Sequence, residues 1–285
     1  GGKKQTAYRI VTERWDSGKV ESDAMHAEYP MELQSRERVN WTVTLWDENG
    51  EAGEPQSAFF EMGFLDPSDW KAQWIAGNYT VRKSERYPVD CFRKTVVIEK
   101  PVKRARLYAT ACGLYEARLN GERIGNFCLA PGHTDYRKRV QYQTYDVTAM
   151  LQSGEYTLSC QIADGWYRGS CGAWGIRNQY GTETKLLLQL EIEYADGTQQ
   201  TVGSDGTWDW SNDGPIRFAD NKDGEIIELF RTPLYLGHAK VTSHGVVPSA
   251  SNNVSVTEHE RFHPRITTAP NGKKLLDFGQ NLAGY

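Results

Sequence analysis

Long apolar runs and clustered basic residues are both missing from this sequence, and each absence excludes a class of protein. No apolar stretch approaches the roughly 18 residues that a membrane-spanning helix needs. The net charge is −4, with 33 Lys and Arg against 37 Asp and Glu, and like charges never form a long block. Neither nucleic acid nor a membrane is therefore expected as a partner. The composition is that of a globular protein of roughly two domains.

Paired cysteines are missing as well. The cysteines number five, an odd count, and none forms a C-x-x-C pair: Cys91, Cys112, Cys128, Cys160 and Cys171. This spacing argues against a disulfide framework and a zinc ribbon, so free and mostly buried thiols are predicted. The N-terminus lacks the apolar core of a secretory signal. A reducing compartment, the cytoplasm, is the expected location.

Helical periodicity is scarce, and alternation of apolar and polar residues takes its place. Trp41, Val43 and Leu45 alternate with polar residues, and the longest such face runs over 186–194. The dipeptide Asn120-Gly121 favours a type I′ hairpin turn, because both residues tolerate a positive φ. Many short strands at this spacing predict β-sandwiches rather than a parallel sheet.

One short helix and two domain boundaries are also predicted. The helix covers 146–152, with Asp146 as N-cap and Gly154 near its C-terminal end. The boundaries fall in 63–70 and 243–253, which are rich in turn-forming residues.

The motifs of phosphate, calcium and nucleophile chemistry are absent or incomplete. Residues 169–175 are rich in glycine, but no Lys-Ser/Thr of a P-loop follows them. Carboxylates at Asp220, Asp223 and Glu225 supply oxygen ligands, yet they do not match an EF-hand loop. No G-x-S-x-G motif occurs. These segments are predicted to be ordinary turns of a β protein.

The zinc-protease pattern H-E-x-x-H occurs once, at His259, Glu260 and His263. Pro264 follows at once and disfavours the helical conformation for His263, so one helix face cannot present both imidazoles. A fortuitous match is predicted, and a zinc hydrolase built on His259 and His263 remains a remote alternative.

The cluster that best fits a sugar site lies in one turn at 164–169. It places Asp164, Trp166, Tyr167 and Arg168 together, which is the mixture of aromatic rings, carboxylate and guanidinium that binds sugars. Trp174, in the glycine-rich segment that follows, is a further candidate. Core aromatics beside a structural Arg–Asp pair would give the same sequence, so both interpretations stay open.

At these residues the chain resembles the N-terminal half of bacterial α-L-rhamnosidases of glycoside hydrolase family 78. The segments that carry the resemblance occur in the family's order over nearly the whole chain. They are 15–20 (WDSGKV), 39–47 (VNWTVTLWD), 60–63 (FEMG), 69–75 (DWKAQWI), 113–116 (GLYE), 119–121 (LNG), 129–136 (LAPGHTDY), 164–169 (DGWYRG) and 277–285 (DFGQNLAGY).

The resemblance implies an all-β chain of several domains. The implied arrangement is a fibronectin-III-like sandwich at 1–63, a linker at 64–75, a jelly roll at 76–249 and the start of a further sandwich at 250–285. The chain is expected to be trimmed at both ends, because it begins at the second strand of the first domain and ends within a strand motif. The family's catalytic (α/α)6 barrel, with the paired acids of inverting hydrolysis, is expected to lie beyond it.

The resemblance therefore implies a non-catalytic accessory region that binds rhamnose weakly. The alternative is a set of structural domains that only brace the barrel. The implied partners are rhamnose-containing glycans or glycosides and the catalytic domain of the same polypeptide. No cofactor is required, but some relatives bind rhamnose through Ca²⁺, for which Asn126 and Asp164 are the candidate ligands.

Overall fold

The computed structural model describes residues 2–235 and 237–282, and these residues form an all-β protein. Residues 1, 236 and 283–285, which include the end of the predicted 277–285 motif, lie outside the described residues. Within the described part the helices are short: one α-helical turn, α1 (Gly165–Arg168), and two 3-10 turns, Pro67–Asp69 and Thr148–Met150. None of these helices is long enough to cross a membrane.

The N-terminal region forms an antiparallel three-stranded sheet in the order β1-β2-β3. Its strands are β1 (Gln5–Thr12), β2 (Arg38–Asp47) and β3 (Gln56–Glu61). Val43 of β2 lies opposite Ile10 of β1, and Trp41 lies opposite Thr12. Because alternate residues of a strand share a face, the predicted alternation at 41–45 places its apolar side chains together on one face of this sheet.

The central region is a sandwich of two sheets. A six-stranded sheet has the order β16-β13-β5-β10-β7-β8. A seven-stranded sheet follows the path β17-β4-β11-β6-β9-β18, with β12 paired to β11. The strands are β4 (Ile75–Ala76), β5 (Asp90–Ile98), β6 (Val102–Cys112), β7 (Leu114–Leu119), β8 (Glu122–Arg123), β9 (Gln141–Asp146), β10 (Gly154–Ala163), β11 (Lys185–Tyr194), β12 (Gln199–Gly203), β13 (Asp209–Ser211), β16 (Gly237–His238), β17 (Lys240–Val241) and β18 (Ser249–Ala250).

The main core lies between these two sheets and confirms the predicted apolar alternation. The residues at 186, 188, 190 and 192 of β11 are fully buried against β10 and β5 residues such as Leu158 and Phe92. Asn120 and Gly121 have φ values of 49° and 84° and join β7 to β8, as the sequence predicts. The five cysteines are free, and four of them are buried. Burying so much apolar surface is the main source of stability of such a sandwich.

Two further hairpins lie outside these two sheets. One pairs β14 (Ile216–Asp220) with β15 (Gly224–Ile227), and the other pairs β19 (Arg265–Thr268) with β20 (Lys274–Asp277). The second hairpin is exposed along its whole length. It lies in the segment at 250–285 that the sequence assigns to a further sandwich.

The predicted helix at 146–152 is wrong. The chain makes only the 3-10 turn Thr148–Met150, which the Asp146 carboxylate supports by accepting a hydrogen bond from the Thr148 amide at 3.0 Å. Leu151 is then extended and buried in the core. Asp146 is not the N-cap that the sequence predicts, because Val147 occupies that position without a side-chain hydrogen bond. Burial of the extended Leu151 in the core ends the turn.

The C-terminal part of the sandwich is completed from beyond the predicted boundary at 249. β18 pairs in parallel with β9, with Ser249 opposite Gln141. The side-chain amide of Asn253 then donates to Gln141 Oε1 at 2.9 Å, and the Val256 carbonyl accepts from the Cys128 amide at 2.7 Å. The chain stays attached to the central sandwich at least as far as residue 256.

Two arginines join the first sheet to the central sandwich. Arg106 of β6 donates from Nε and Nη2 to the two carboxylate oxygens of Glu61, the last residue of β3, at 2.8 and 3.0 Å. The Arg36 guanidinium donates to both carboxylate oxygens of Glu191, at 2.6 and 2.7 Å, and to Asp69 Oδ1 at 2.7 Å. Its carbon atom also lies 4.4 Å from the centre of the Phe64 ring. Because the Arg36 guanidinium contacts two carboxylates and an aromatic ring at once, it fixes the orientation of these three groups relative to one another.

Candidate functional site

The turn at 164–169 is built around a glycine that no other residue could replace. Gly165 follows the end of β10 with a φ of 51°, and a Cβ there would lie 2.5 Å from Leu114 Cγ. The positive φ and the close approach of β7 both require a residue without a side chain. The strand can then pass directly into α1, which places Trp166, Tyr167 and Arg168 on one helical turn.

The charged candidates of this turn form a buried ion pair. Asp164 and Arg168 are each 2% exposed, and Arg168 Nε donates to Asp164 Oδ1 at 2.7 Å. The second carboxylate oxygen accepts from Arg177 Nη2 at 3.0 Å. Arg168 Nη1 donates to the hydroxyl of Tyr79 at 2.6 Å. The carboxylate is therefore satisfied by two guanidinium groups, as a buried charge requires. Arg168 Nη2 lies 2.7 Å from Asp164 Oδ1, but it is buried without a hydrogen-bond partner of its own among the residues that the structure describes.

A second buried carboxylate lies behind this pair. Asp90 is fully buried, and its oxygens accept hydrogen bonds from Trp210 Nε1 at 2.9 Å and from the hydroxyl of Thr184. Burial raises the pKa of Asp90, and the Arg168 guanidinium opposes this shift. Asp90 therefore adds a second buried acidic group beside Arg168, whose direct carboxylate partner is Asp164.

The aromatic candidates of the same turn point in different directions. Tyr167 is buried, with its ring 5.3 Å from that of Tyr136. Trp166 is half-buried and stacks on the exposed ring of His133 at 5.3 Å. His133 Nε2 in turn lies 3.4 Å from the hydroxyl of Tyr180. Trp166 therefore belongs to an aromatic surface, whereas Tyr167 belongs to the interior.

Trp174 is 89% exposed at the tip of the turn at 171–176. Cys171 and Ile176 close this turn by two backbone hydrogen bonds of 3.0 and 3.1 Å. Lys222 Nζ reaches across from the β14–β15 hairpin and donates to the Gly172 carbonyl at 2.5 Å. The loop is held on both sides, so the indole is presented to solvent by an ordered backbone.

Comparison with known proteins agrees with this architecture. A family model described as the α-L-rhamnosidase N-terminal domain matches residues 100–262, more than half of the chain. A second, described as the Rha78A-like N-terminal immunoglobulin domain, matches residues 1–66. The chain belongs to the α-L-rhamnosidase N-terminal domain family.

Three rhamnosidases illustrate the similarity. An α-L-rhamnosidase of Streptomyces avermitilis is 43% identical over 251 residues, which cover 81% of this chain and 24% of that protein. The structure of the Aspergillus terreus enzyme has a TM-score of 0.84 and 30% identity, covering 98% of this chain and 35% of that one. A Streptomyces avermitilis structure in complex with L-rhamnose has a TM-score of 0.81 and 25% identity, covering 99% and 46%. The chain spans less than half of each of these relatives.

The Ca²⁺ site expected from the rhamnosidase resemblance does not fit the residues present. Both oxygens of Asp164 accept from guanidinium groups, so they are not free to coordinate a cation. Asn126 is exposed in the segment that follows edge strand β8. Ca²⁺ needs free oxygen ligands about 2.3–2.6 Å away, which Asp164 does not offer in this arrangement.

The other motifs of this rhamnosidase domain that could bind a metal ion do not form a metal site. Asp220 accepts hydrogen bonds from the Ser170 and Lys222 amides, at 2.6 and 2.8 Å. His259 and His263 lie in an exposed segment without a helix. Among residues 2–235 and 237–282, no group of three His, Cys, Asp or Glu side chains could hold a metal ion.

Several residues at this site were not found from the sequence. Tyr79, Asp90 and Arg177 complete the buried cluster, and His133 and Tyr180 complete the aromatic surface. A signal existed for His133, which lies in the segment 129–136 that carries the rhamnosidase resemblance. Asp90 is the first residue of β5, and Tyr79, Arg177 and Tyr180 come from loops whose polar residues show no periodicity.

Proposed function

We propose that this chain is the non-catalytic N-terminal accessory region of an α-L-rhamnosidase. The observation that carries the proposal is the ordered match of two family models, at 1–66 and 100–262, to domains that such enzymes place before the rest of their chain. The immunoglobulin-type sheet and the sandwich would together form a rigid support for the catalytic part of the enzyme.

The carboxylates at the candidate site support a non-catalytic role. Glycoside hydrolysis needs one carboxyl group to protonate the leaving oxygen and a second to activate water or attack the sugar, both facing an open cleft. Asp164 and Asp90 are both buried, and their oxygens are bonded to protein groups. Neither can reach a glycosidic bond in this arrangement.

The chain is therefore expected to show no rhamnosidase activity. With an aryl α-L-rhamnoside at high protein concentration, release of the phenol should equal that of buffer, because no acid–base pair flanks a cleft. The rhamnosidase of Streptomyces avermitilis serves as the positive control. Turnover that scales with this polypeptide and persists through further purification would contradict the proposal.

A weak contact with sugar is the second candidate function, and the exposed indole of Trp174 favours it. The apolar face and methyl group of rhamnose match an aromatic ring, and the ordered turn at 171–176 costs little entropy on binding. One or two such contacts support a dissociation constant on the order of 0.1–1 mM.

Replacing Trp174 with alanine is expected to weaken rhamnose binding at least about tenfold without changing the melting temperature. The ring is almost wholly exposed, so its removal opens no cavity. Titration calorimetry of the wild type and Trp174→Ala measures the effect, and Phe59→Ala, another exposed ring on the first sheet, is the matched control. Absence of heat from the wild type at about 10 mM rhamnose would support the purely structural alternative.

A further inference from the structure

A polar pocket lies beside the turn at 164–169, on the outer side of the seven-stranded sheet. Its volume is about 520 Å³, and its lining includes Tyr79, Tyr167, Glu183, Lys185 and Lys240. This volume falls in the range of small-molecule sites, which is roughly 300–1,000 Å³. None of the motifs discussed above accounts for it.

The sheet register explains how two ammonium groups come to share this pocket. Lys185 of β11 and Lys240 of β17 both lie opposite Ala76 of β4, one on each side. Directly opposed residues of antiparallel strands point to the same face, so both side chains leave the sheet together. Gly181 completes the wall, since a Cβ there would lie 2.1 Å from the hydroxyl of Tyr167. The pocket is thus framed by strands and a close-packed loop.

The charges of the pocket do not balance. Lys240 Nζ lies 2.5 Å from Glu183 Oε1, and the other oxygen of Glu183 accepts from Thr242 at 3.3 Å. Lys185 Nζ instead donates to the Ser243 carbonyl at 2.6 Å and has no carboxylate within ion-pair distance in the described parts of the chain. A lysine ammonium has three donors, so Lys185 keeps hydrogen-bonding capacity for an anion.

The aromatic residues of the pocket do not offer a stacking face. The Tyr79 ring is stacked on Trp210 at 5.7 Å and also packs against Tyr87 at 4.8 Å. Tyr167 packs against Tyr136 and His244. Recognition in this pocket would therefore depend on charge and hydrogen bonds, unlike that at Trp174.

We propose that this pocket binds the carboxylate of an acidic monosaccharide, a hexuronate. Lys185 takes the carboxylate, while Glu183 accepts from ring hydroxyls and Lys240 donates to them. The combination of one excess cation with a neighbouring acceptor distinguishes a hydroxylated acid from a simple anion. The inference rests on the proposed function in one respect, since it assigns a sugar ligand to the accessory region.

Calorimetry or NMR titration of the full 285-residue chain with glucuronate, glucose and acetate tests the proposal. Glucuronate should bind at least tenfold more tightly than glucose and acetate, and added salt should weaken it. Lys185→Met should reduce glucuronate affinity at least tenfold, whereas Lys138→Met, an exposed lysine outside the pocket, should leave it unchanged. Glu183→Gln keeps an oxygen acceptor for the ring hydroxyls but removes the negative charge that repels the bound carboxylate, so it should tighten binding several-fold. Melting curves establish that each variant is folded.

Two results would overturn the proposal. If acetate and glucuronate bind equally tightly, the pocket is a simple anion site. If neither Lys185→Met nor Glu183→Gln changes the affinity for glucuronate, the sugar binds elsewhere on the protein. The glucuronate titration and the aryl rhamnoside assay test different proposals. If glucuronate does not bind as expected, the hexuronate pocket is wrong, whereas rhamnosidase turnover by this chain would contradict its accessory role.

Discussion

Replacing Asp164 with alanine should lower the free energy of unfolding by about 3–5 kcal/mol, the cost of leaving a buried charge without its partner. Arg168 is 2% exposed and would lose the carboxylate that its Nε contacts at 2.7 Å. Arg177 would lose the same partner. The strand-to-helix turn that carries Trp166 and Tyr167 would be destabilised with it. Chemical denaturation, with the midpoint and slope compared to wild type, measures the loss.

Glu21→Ala is the control for this prediction. Glu21 lies 2.9 Å from Lys19, and both side chains are largely exposed, so its loss should change stability by less than about 1 kcal/mol. A loss at Asp164 no larger than the loss at Glu21 would mean that water reaches the guanidinium cluster, which would reopen Asp164 as a ligand-binding group.

Replacing Arg36 with alanine should weaken the attachment of the first sheet to the central sandwich, which then depends on the Arg106–Glu61 ion pair and on aromatic packing. The Arg36 guanidinium is the shared donor to Glu191 and Asp69 and covers the Phe64 ring. Removing it leaves two half-buried carboxylates without their cation, at a cost of about 2–3 kcal/mol at the interface. Differential scanning calorimetry should then show a lower-temperature transition for the first domain, separate from that of the sandwich.

Arg14→Ala is the matched control for Arg36. Arg14 pairs with Glu37 at 2.6 Å within the first domain and makes no contact with the central sandwich. Arg14→Ala should lower the melting temperature of the first domain slightly without splitting the unfolding transition into two. A single unsplit transition for Arg36→Ala would show that the Arg106–Glu61 pair and the packing of Phe64 and Trp70 against Tyr142 hold the domains together without Arg36.

The fold was predictable because its signals are local. Alternating residues at 186–194 and the Asn120-Gly121 turn specify strands and a hairpin through neighbours in the sequence. The helix at 146–152 was wrong for the opposite reason, since burial of Leu151 depends on strands distant in the chain. The overall class therefore followed from pattern, while the length of one element depended on packing.

The candidate site was predictable only in part. The sequence placed Asp164, Trp166, Tyr167 and Arg168 in one turn, and the structure confirms that they share it. Whether they face solvent is decided by Tyr79, Asp90 and other residues brought in from separate loops and strands. Sequence spacing does not predict those contacts. The sequence therefore could not decide between a solvent-facing sugar site and a buried ion pair, and the structure shows that Asp164 and Arg168 form the buried pair.

The attachment of 249–256 to the central sandwich limits where this domain could be separated from the chain that follows it. Because β18 supplies an edge to β9 and Asn253 bonds to Gln141, the connecting segment also serves as a strand of the domain that it leaves. A break at 249 would expose the backbone of β9 and remove these partners. Breaks after 256 would preserve the sandwich. The folded domain therefore extends beyond its last strand, β18, to about residue 256.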